Sequence, residues 1–160
     1  MAQVDMIDLR EFIINAMNEV FEMMLSMSLN VVDESSVIPL NGDKLMGSVS
    51  FAGKASGSIN IHIGGIFAKT ITAKMLGMTT DEIESNEEIH DVIGETSNMV
   101  GGSLKSRLCD SGFPCALSIP SVTSGGSFHV ESKDWQFHEK ILMENNNQFV
   151  IVEVFMKAST

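Results

Sequence analysis

The stretch that decides the fold runs from Glu88 to Lys105 and reads EIHDVIGETSNMVGGSLK. At about 100° per residue, an α-helix places its mostly apolar positions on one side, and these are Ile89, Val92, Ile93, Thr96, Val100 and Leu104. The polar positions and one glycine gather on the opposite side, and these are Asp91, Glu95, Asn98, Gly102 and Lys105. The sequence therefore predicts a helix with a buried back and an exposed front, on which a carboxylate and a carboxamide lie one turn apart. Ser85 and Glu88 have the spacing of a capping box, which predicts that the helix starts near Asn86.

Three glycines interrupt this helix, although each costs about 1 kcal/mol relative to alanine in a helix interior. Gly102 lies on the front and has no side chain, so it leaves open space between the neighbouring side chains. Gly94 and Gly101 form a second bare strip, on which another backbone can come close. By spacing alone, Glu95 and Asn98 also fit an ordinary solvated helix face, so this pattern does not decide for a functional site.

A longer pattern gives the front a more specific interpretation. It reads Asp91-x-Ile93-Gly94-Glu95-x-x-Asn98-Met99-x-x-Gly102-x-x-Lys105, and it resembles the signature helix of the CheC/CheX/FliY family of chemotaxis phosphatases. The resemblance is to the CheX-like branch, which has one Glu-x-x-Asn site, and it extends over residues 10 to 110. The sequence departs from the family pattern at Thr96, where a bulkier aliphatic residue is usual. Because Thr96 faces the predicted core, this difference concerns packing.

The resemblance implies hydrolysis of the aspartyl phosphate of a CheY-type response regulator. Asn98 would orient the attacking water, and Glu95 would pair with a lysine of the regulator. Asp91, Gly102 and Lys105 would contact the partner, with Gly102 giving its loop room to approach. The resemblance implies no cofactor of the protein's own, because the regulator binds the Mg²⁺, and it also implies a homodimer.

Two other functions stay open at the level of sequence. The same helix front would suit a module that binds a response regulator or a flagellar switch component without accelerating hydrolysis. A small-ligand sensor is the third interpretation. It is based on a Ser- and Asn-rich strand face, but no converging polar cluster in the sequence supports it.

Composition restricts the partners and the compartment. The chain has 160 residues, of which 44% are hydrophobic, so we expect a single domain over residues 1–160. Its net charge of −11 disfavours nucleic acid and an anionic membrane surface as partners. No apolar stretch is long enough to span a membrane and no signal pattern begins the chain, so we expect a cytoplasmic protein. Cys109 and Cys115 are the only cysteines, and we expect reduced thiols and no metal site.

Residues 5–28 predict a second long amphipathic helix. Its polar face repeats the spacing of the helix front, with Glu11, Asn15, Asn18 and Glu22. The family's pseudo-twofold arrangement would make this face a degenerate second site, with Asn15 where the glutamate belongs, although an ordinary polar face explains it equally well. We interpret the nearby methionines as core residues rather than as a binding surface, and they are Met23, Met24 and Met27.

The remaining patterns predict a short helix over residues 66–76 and a set of strands. Residues 45–51 and 57–63 predict a hairpin with a two-residue type II′ turn at Gly53 and Lys54, and with His62 on its solvated face. Further strands are expected over residues 115–119, 122–123, 128–131, 135–143 and 148–157. The last of them is apolar on both faces, which is typical of a central strand or of one that a partner chain buries. We therefore expect an α/β two-layer domain, with a mainly antiparallel sheet and two long helices on one face.

Overall fold

A computed structural model describes residues 7–33, 40, 42–126, 128 and 130–159. The helices within these residues are α1 (Leu9–Leu25), α2 (Gly65–Leu76) and α3 (Asn86–Asp110), and a 3₁₀ turn, Thr80–Glu82, precedes α3. The strands are β1 (Asn30–Val31), β2 (Lys44–Gly53), β3 (Ala55–Gly64), β4 (Cys115–Leu117), β5 (Ser121–Gly125), β6 (Phe137–Asn145) and β7 (Gln148–Ala158).

The strands form one antiparallel sheet in the order β1-β6-β7-β3-β2, and β4 and β5 both pair with the outer edge of β2. The helices contact one another and α3 packs on β2, so they form a single layer over one face of the sheet. The expected two-layer α/β architecture is confirmed. The two long helices are α1 and α3, and the short helix α2 joins the same layer.

The position of strand β7 in the sheet explains its apolar sequence. It lies between β6 and β3 and is hydrogen-bonded on both sides, with Val150, Val152 and Val154 completely buried. A central strand of this kind is covered on both faces and needs apolar residues throughout. Of the two alternatives for this strand, the central position is confirmed, so β7 is not an edge strand that could pair with a partner chain in a homodimer, and the homodimer itself stays a prediction.

The β2–β3 hairpin is confirmed, but its turn differs from the predicted one. Phe51 pairs with Gly57, and this register leaves an odd number of residues in the loop, whereas a two-residue turn at Gly53 and Lys54 needs an even number. The Ser56 hydroxyl accepts a hydrogen bond from the Gly53 N–H and donates one to the Gly53 carbonyl, each at 3.1 Å. This side chain stabilises the wider loop.

Of the strand predicted over residues 128–131, residue 129 lies outside the described residues, and Phe128, Val130 and Glu131 are not in a strand. Phe128 instead lies against the sheet face that is remote from the helices, with its ring 6.3 Å from that of His62 and 4.3 Å from the Lys44 ammonium. This aromatic cover helps to leave His62 only 5% exposed, so the interpretation of His62 as a solvated residue is wrong. Burial, and then the charge of Lys44, lower the pKa of His62 to about 4. The imidazole is therefore neutral near pH 7.

Residues of the sheet pack against the bare strip of α3 that Gly94 and Gly101 form. Gly47 of β2 lies where α3 crosses the sheet, and a side chain there would clash with Ser97. An added Cβ at Gly101 would lie 3.3 Å from Cγ1 of Val49, and one at Gly94 would lie 3.5 Å from Cγ2 of Val122. The strip therefore brings α3 close to its own sheet.

Candidate functional site

The N-terminus of α3 is fixed by its own sequence. The Ser85 side chain caps the helix by accepting a hydrogen bond from the Glu88 N–H at 3.3 Å, and Glu87 and Glu88 add favourable charge to the first turn. Within the described residues the reciprocal bond of the predicted capping box does not form. A complete box occurs just upstream instead, between Thr79 and Glu82. The predicted start near Asn86 is confirmed.

The back of α3 is the core side that the periodicity predicted. Ile93, Val100 and Leu104 are completely or almost completely buried. Thr96 is also fully buried, and its hydroxyl donates to the Val92 carbonyl at 2.8 Å, which satisfies a polar group that would otherwise be costly there. The departure from the family pattern at Thr96 therefore changes the packed side and leaves the front intact.

The front of α3 presents all five predicted residues. Asp91 and Glu95 are exposed, whereas Asn98, Gly102 and Lys105 are half-buried. Throughout the part of the chain that the structure describes, the side chains of Glu95 and Asn98 have no hydrogen-bond or ion-pair partner. Both groups are therefore free to bind another molecule, because no internal bond has to be broken first.

Lys105 lies at the edge of this front, close to a cysteine on β4. Burial is the main reason why the pKa of Cys115 is raised, and the positive charge of Lys105 opposes that rise. The structure contains no hydrogen bond from the Lys105 ammonium to a described residue. Its charge remains available to an acidic group of a partner.

Two elements flank the front and hold α3 in place. On one side, Glu19 of α1 accepts hydrogen bonds from the Ser103 hydroxyl at 2.6 Å and from the Arg107 guanidinium at 2.9 Å. These two hydrogen bonds hold the pKa of Glu19 below its ordinary value, and the bond from Ser103 has the larger effect. On the other side, Pro120 and Val122 lie against Gly94. The site is therefore built on a helix that is fixed from both sides.

The methionines of α1 are divided between the core and the surface. Met27 is buried, as predicted, but Met23 is 76% exposed and Met24 is 45% exposed. The prediction that all three fill the core is therefore wrong for two of them. Helical spacing contained the signal for Met23, because it lies four residues after Glu19 and so shares the outer face of α1 with it.

The polar face of α1 does not reproduce the arrangement on α3. The Asn18 carboxamide oxygen accepts a hydrogen bond from the Leu29 N–H at 3.1 Å, so this side chain anchors the chain that follows the helix. Asn15 is exposed, and Glu22 occupies the position that corresponds to Gly102. This is the pattern expected of a degenerate site, and the origin of the repeat stays a prediction.

The described residues contain no group of three or more His, Cys, Asp or Glu side chains that could hold a metal ion. Within the same residues, no helix is both long enough and apolar enough to cross a membrane. Cys109 and Cys115 are both free thiols. The arrangement on α3 thus offers a carboxylate, a carboxamide and open space, and it suits a partner that brings its own reactive group.

Comparison with known proteins identifies the family. A family model described as "Chemotaxis phosphatase CheX" matches residues 45–152, which include almost all of β2, the whole of β3 to β6 and of α3, and the first five residues of β7. The chain belongs to the CheX family. No match was found among curated proteins.

Solved structures show that the CheX fold extends over almost the whole chain. CheX from Vibrio vulnificus is 24% identical with a TM-score of 0.80, and the match covers 94% of this chain and 97% of that one. A CheC-like superfamily protein from Shewanella sp. PV-4 is 25% identical with a TM-score of 0.72, covering 95% and 99%. The complex of CheX with CheY, BeF3 and Mg²⁺ from Borrelia burgdorferi matches at 18% identity and a TM-score of 0.73, covering 94% and 99%.

Proposed function

We propose that this CheX-family protein accelerates hydrolysis of the aspartyl phosphate on a CheY-type response regulator. One observation carries the proposal: Glu95 and Asn98 project from the same exposed helix face, neither has a partner among the described residues, and both lie beside the open backbone of Gly102. The similar CheX from Borrelia burgdorferi was solved with CheY, BeF3 and Mg²⁺. Beryllium fluoride imitates a phosphoryl group, so a partner of that chemistry is the natural candidate here.

Asn98 supports the chemical step by orienting water. The regulator carries the aspartyl phosphate, the Mg²⁺ and a lysine, so most of the charge compensation is present before the two proteins meet. Phosphoryl transfer then depends chiefly on placing the nucleophile in line with phosphorus. A carboxamide both donates and accepts hydrogen bonds, and it is neutral. Asn98 can therefore hold a water molecule close to the phosphoryl oxygens, which a carboxylate in its place would repel.

Glu95 supports docking. A carboxylate one turn before Asn98 can form a charge-assisted hydrogen bond with the lysine of the regulator, and this bond would fix the register in which α3 approaches the phosphoryl group. Gly102 gives a loop of the partner room, because no atom lies within 4 Å of an added Cβ there. We assign Asp91 and Lys105 to the rim of the same contact. The family resemblance further implies a homodimer, and we expect the protein to lie in the cytoplasm.

The test is the decay of radiolabelled phosphate from several purified CheY-type regulators in the presence of Mg²⁺. We expect the protein to accelerate the decay, Asn98→Ala to abolish the acceleration while the complex still forms, and Glu95→Ala to weaken the complex. Asn15→Ala is the matched control, because it removes an exposed helical asparagine from α1. Binding without faster decay would leave a docking module, and no response to any regulator would reject the partner class.

A further inference from the structure

An apolar groove lies beside the candidate site, between α1 and α3. We call it the methionine groove, and it is lined by Glu19, Val20, Met23, Met24, Met99, Gly102, Ser103 and Ser106. Its apolar wall on α1 is formed chiefly by the two exposed methionines, Met23 and Met24. An exposed methionine costs solvation free energy and adapts easily to the shape of a bound surface. These side chains therefore need an explanation that the packing of the chain does not supply.

The methionine groove is continuous with the front of α3. Gly102 belongs to both, and Met99 follows Asn98 directly in the helix. Gly102 has no side chain of its own, and an added Cβ there would meet no described atom within 4 Å beyond its own stretch of helix, so the polar front is open towards the groove at this point. A globular partner that reaches Asn98 and rests on Gly102 will therefore cover part of the groove as well.

The groove is also preformed. Glu19 on α1 joins Ser103 and Arg107 on α3 through hydrogen bonds, and Arg107 bonds to Ser103 as well. These bonds fix the spacing of the two helices along one wall of the groove. A preformed groove improves affinity because little conformational freedom is lost when it is filled.

Charge favours a different protein over a second copy of this chain. Glu22, Asp91 and Glu95 are exposed on the same two helices, and the whole chain carries a net charge of −11. Lys105 lies on the same front, but these three carboxylates outnumber it, so two copies meeting through this face would bring two acidic surfaces together. A partner that places a basic group opposite Glu95 gains attraction over the same contact.

We propose that the methionine groove receives an apolar side chain of the phosphorylated response regulator, so that Met23 and Met24 contribute docking affinity while Asn98 acts on the phosphate. The inference rests on the proposed function. It assigns two roles to one interface: the polar front aligns the reacting groups, and the groove sets how tightly the regulator is held.

The test compares Met23→Gln and Met24→Gln with Ile66→Gln. Glutamine keeps the length of methionine and removes its apolar character. Ile66 is the control, because it is 81% exposed on α2 and does not line the groove. Dephosphorylation is measured over a range of concentrations of the phosphorylated regulator, and binding is measured with the regulator activated by beryllium fluoride and Mg²⁺.

We expect each methionine variant to raise KM and weaken binding by about tenfold at unchanged kcat, as the loss of an anchor residue does, and Ile66→Gln to behave as wild type. Wild-type acceleration with methionine variants indistinguishable from Ile66→Gln would overturn the inference and leave the proposed function standing. Absence of wild-type acceleration would reject the proposed function, and the groove assignment with it. A wild-type dimer that Met23→Gln converts to a monomer in sedimentation would show a homodimer contact instead and overturn the inference.

Discussion

Helices α1 and α3 carry the same spacing of polar residues, but only on α3 are these polar positions free to bind a partner. On α1 the carboxamide of Asn18 is already bound to the Leu29 N–H, and Glu22 fills the position that corresponds to Gly102. On α3 the corresponding Asn98 has no partner among the described residues, and Gly102 leaves its own position open. The comparison shows that the same spacing gives a candidate site only where the polar side chains are not already hydrogen-bonded within the chain.

The largest expected contrast lies between the two asparagines. Asn98→Ala should lower the dephosphorylation rate by about 100-fold or more, because water placement is lost, while the free energy of unfolding stays close to wild type. Asn18→Ala should do the opposite, with an unchanged rate and a loss of about 1–2 kcal/mol, because the Leu29 N–H loses its acceptor. Rate measurements together with urea unfolding check both variants. A large loss of rate in Asn18→Ala alone would invert the comparison.

The next contrast lies between the two glutamates on these faces. Glu95→Gln should raise KM by about tenfold, equivalent to about 1.4 kcal/mol, because it removes the charge that pairs with the lysine of the regulator. Glu22→Gln should change KM far less, because the polar positions of α1 hold no counterpart of the Glu95 and Asn98 pair. Steady-state kinetics at low salt measures both variants. Equal effects would show that overall acidity attracts the regulator and that Glu95 has no special position.

Alanine substitutions at the two neighbouring glycines of α3 should change the free energy of unfolding differently, and this difference should be smaller than the effects predicted above. Gly102→Ala should stabilise the fold by about 0.5–1 kcal/mol, since alanine favours the helix and its Cβ meets no atom. Gly101→Ala should be less stable than Gly102→Ala, because its Cβ would press on Val49 at 3.3 Å. Thermal unfolding of the two variants gives the order. A more stable Gly101→Ala would contradict the close packing of α3 on β2.

The smallest effect concerns the bond between the two helices and depends on pH. Because the folded protein holds the pKa of Glu19 below its ordinary value, this carboxylate stabilises the fold above that ordinary value, and the contribution is lost as the pH falls towards the folded pKa. Glu19 is partly exposed, so we expect at most about 1 kcal/mol. Glu19→Gln should therefore be less stable than wild type at pH 7, and the difference should shrink below about pH 4. A difference that does not change with pH would contradict this account.

The sequence predicted what depends on periodicity. The capped start of α3, its buried back and the residues on its front follow from helical spacing, and the β2–β3 hairpin follows from alternation. The sequence did not predict what depends on a covering segment far along the chain. His62 alternates like a solvated residue, but it is buried, and the ring of Phe128 helps to cover it. The prediction that Met23 fills the core was wrong because it followed from the residue type, whereas the position of Met23 around the helix places it on the outer face of α1.

The most direct test of the central claim is the single-turnover rate of phosphate loss at saturating protein, comparing wild type with Asn98→Asp. Aspartate has nearly the same shape as asparagine but brings a negative charge towards the phosphoryl group. The account predicts that Asn98→Asp loses as much rate as Asn98→Ala. A wild-type rate in Asn98→Asp would contradict the role of a neutral carboxamide that orients the attacking water.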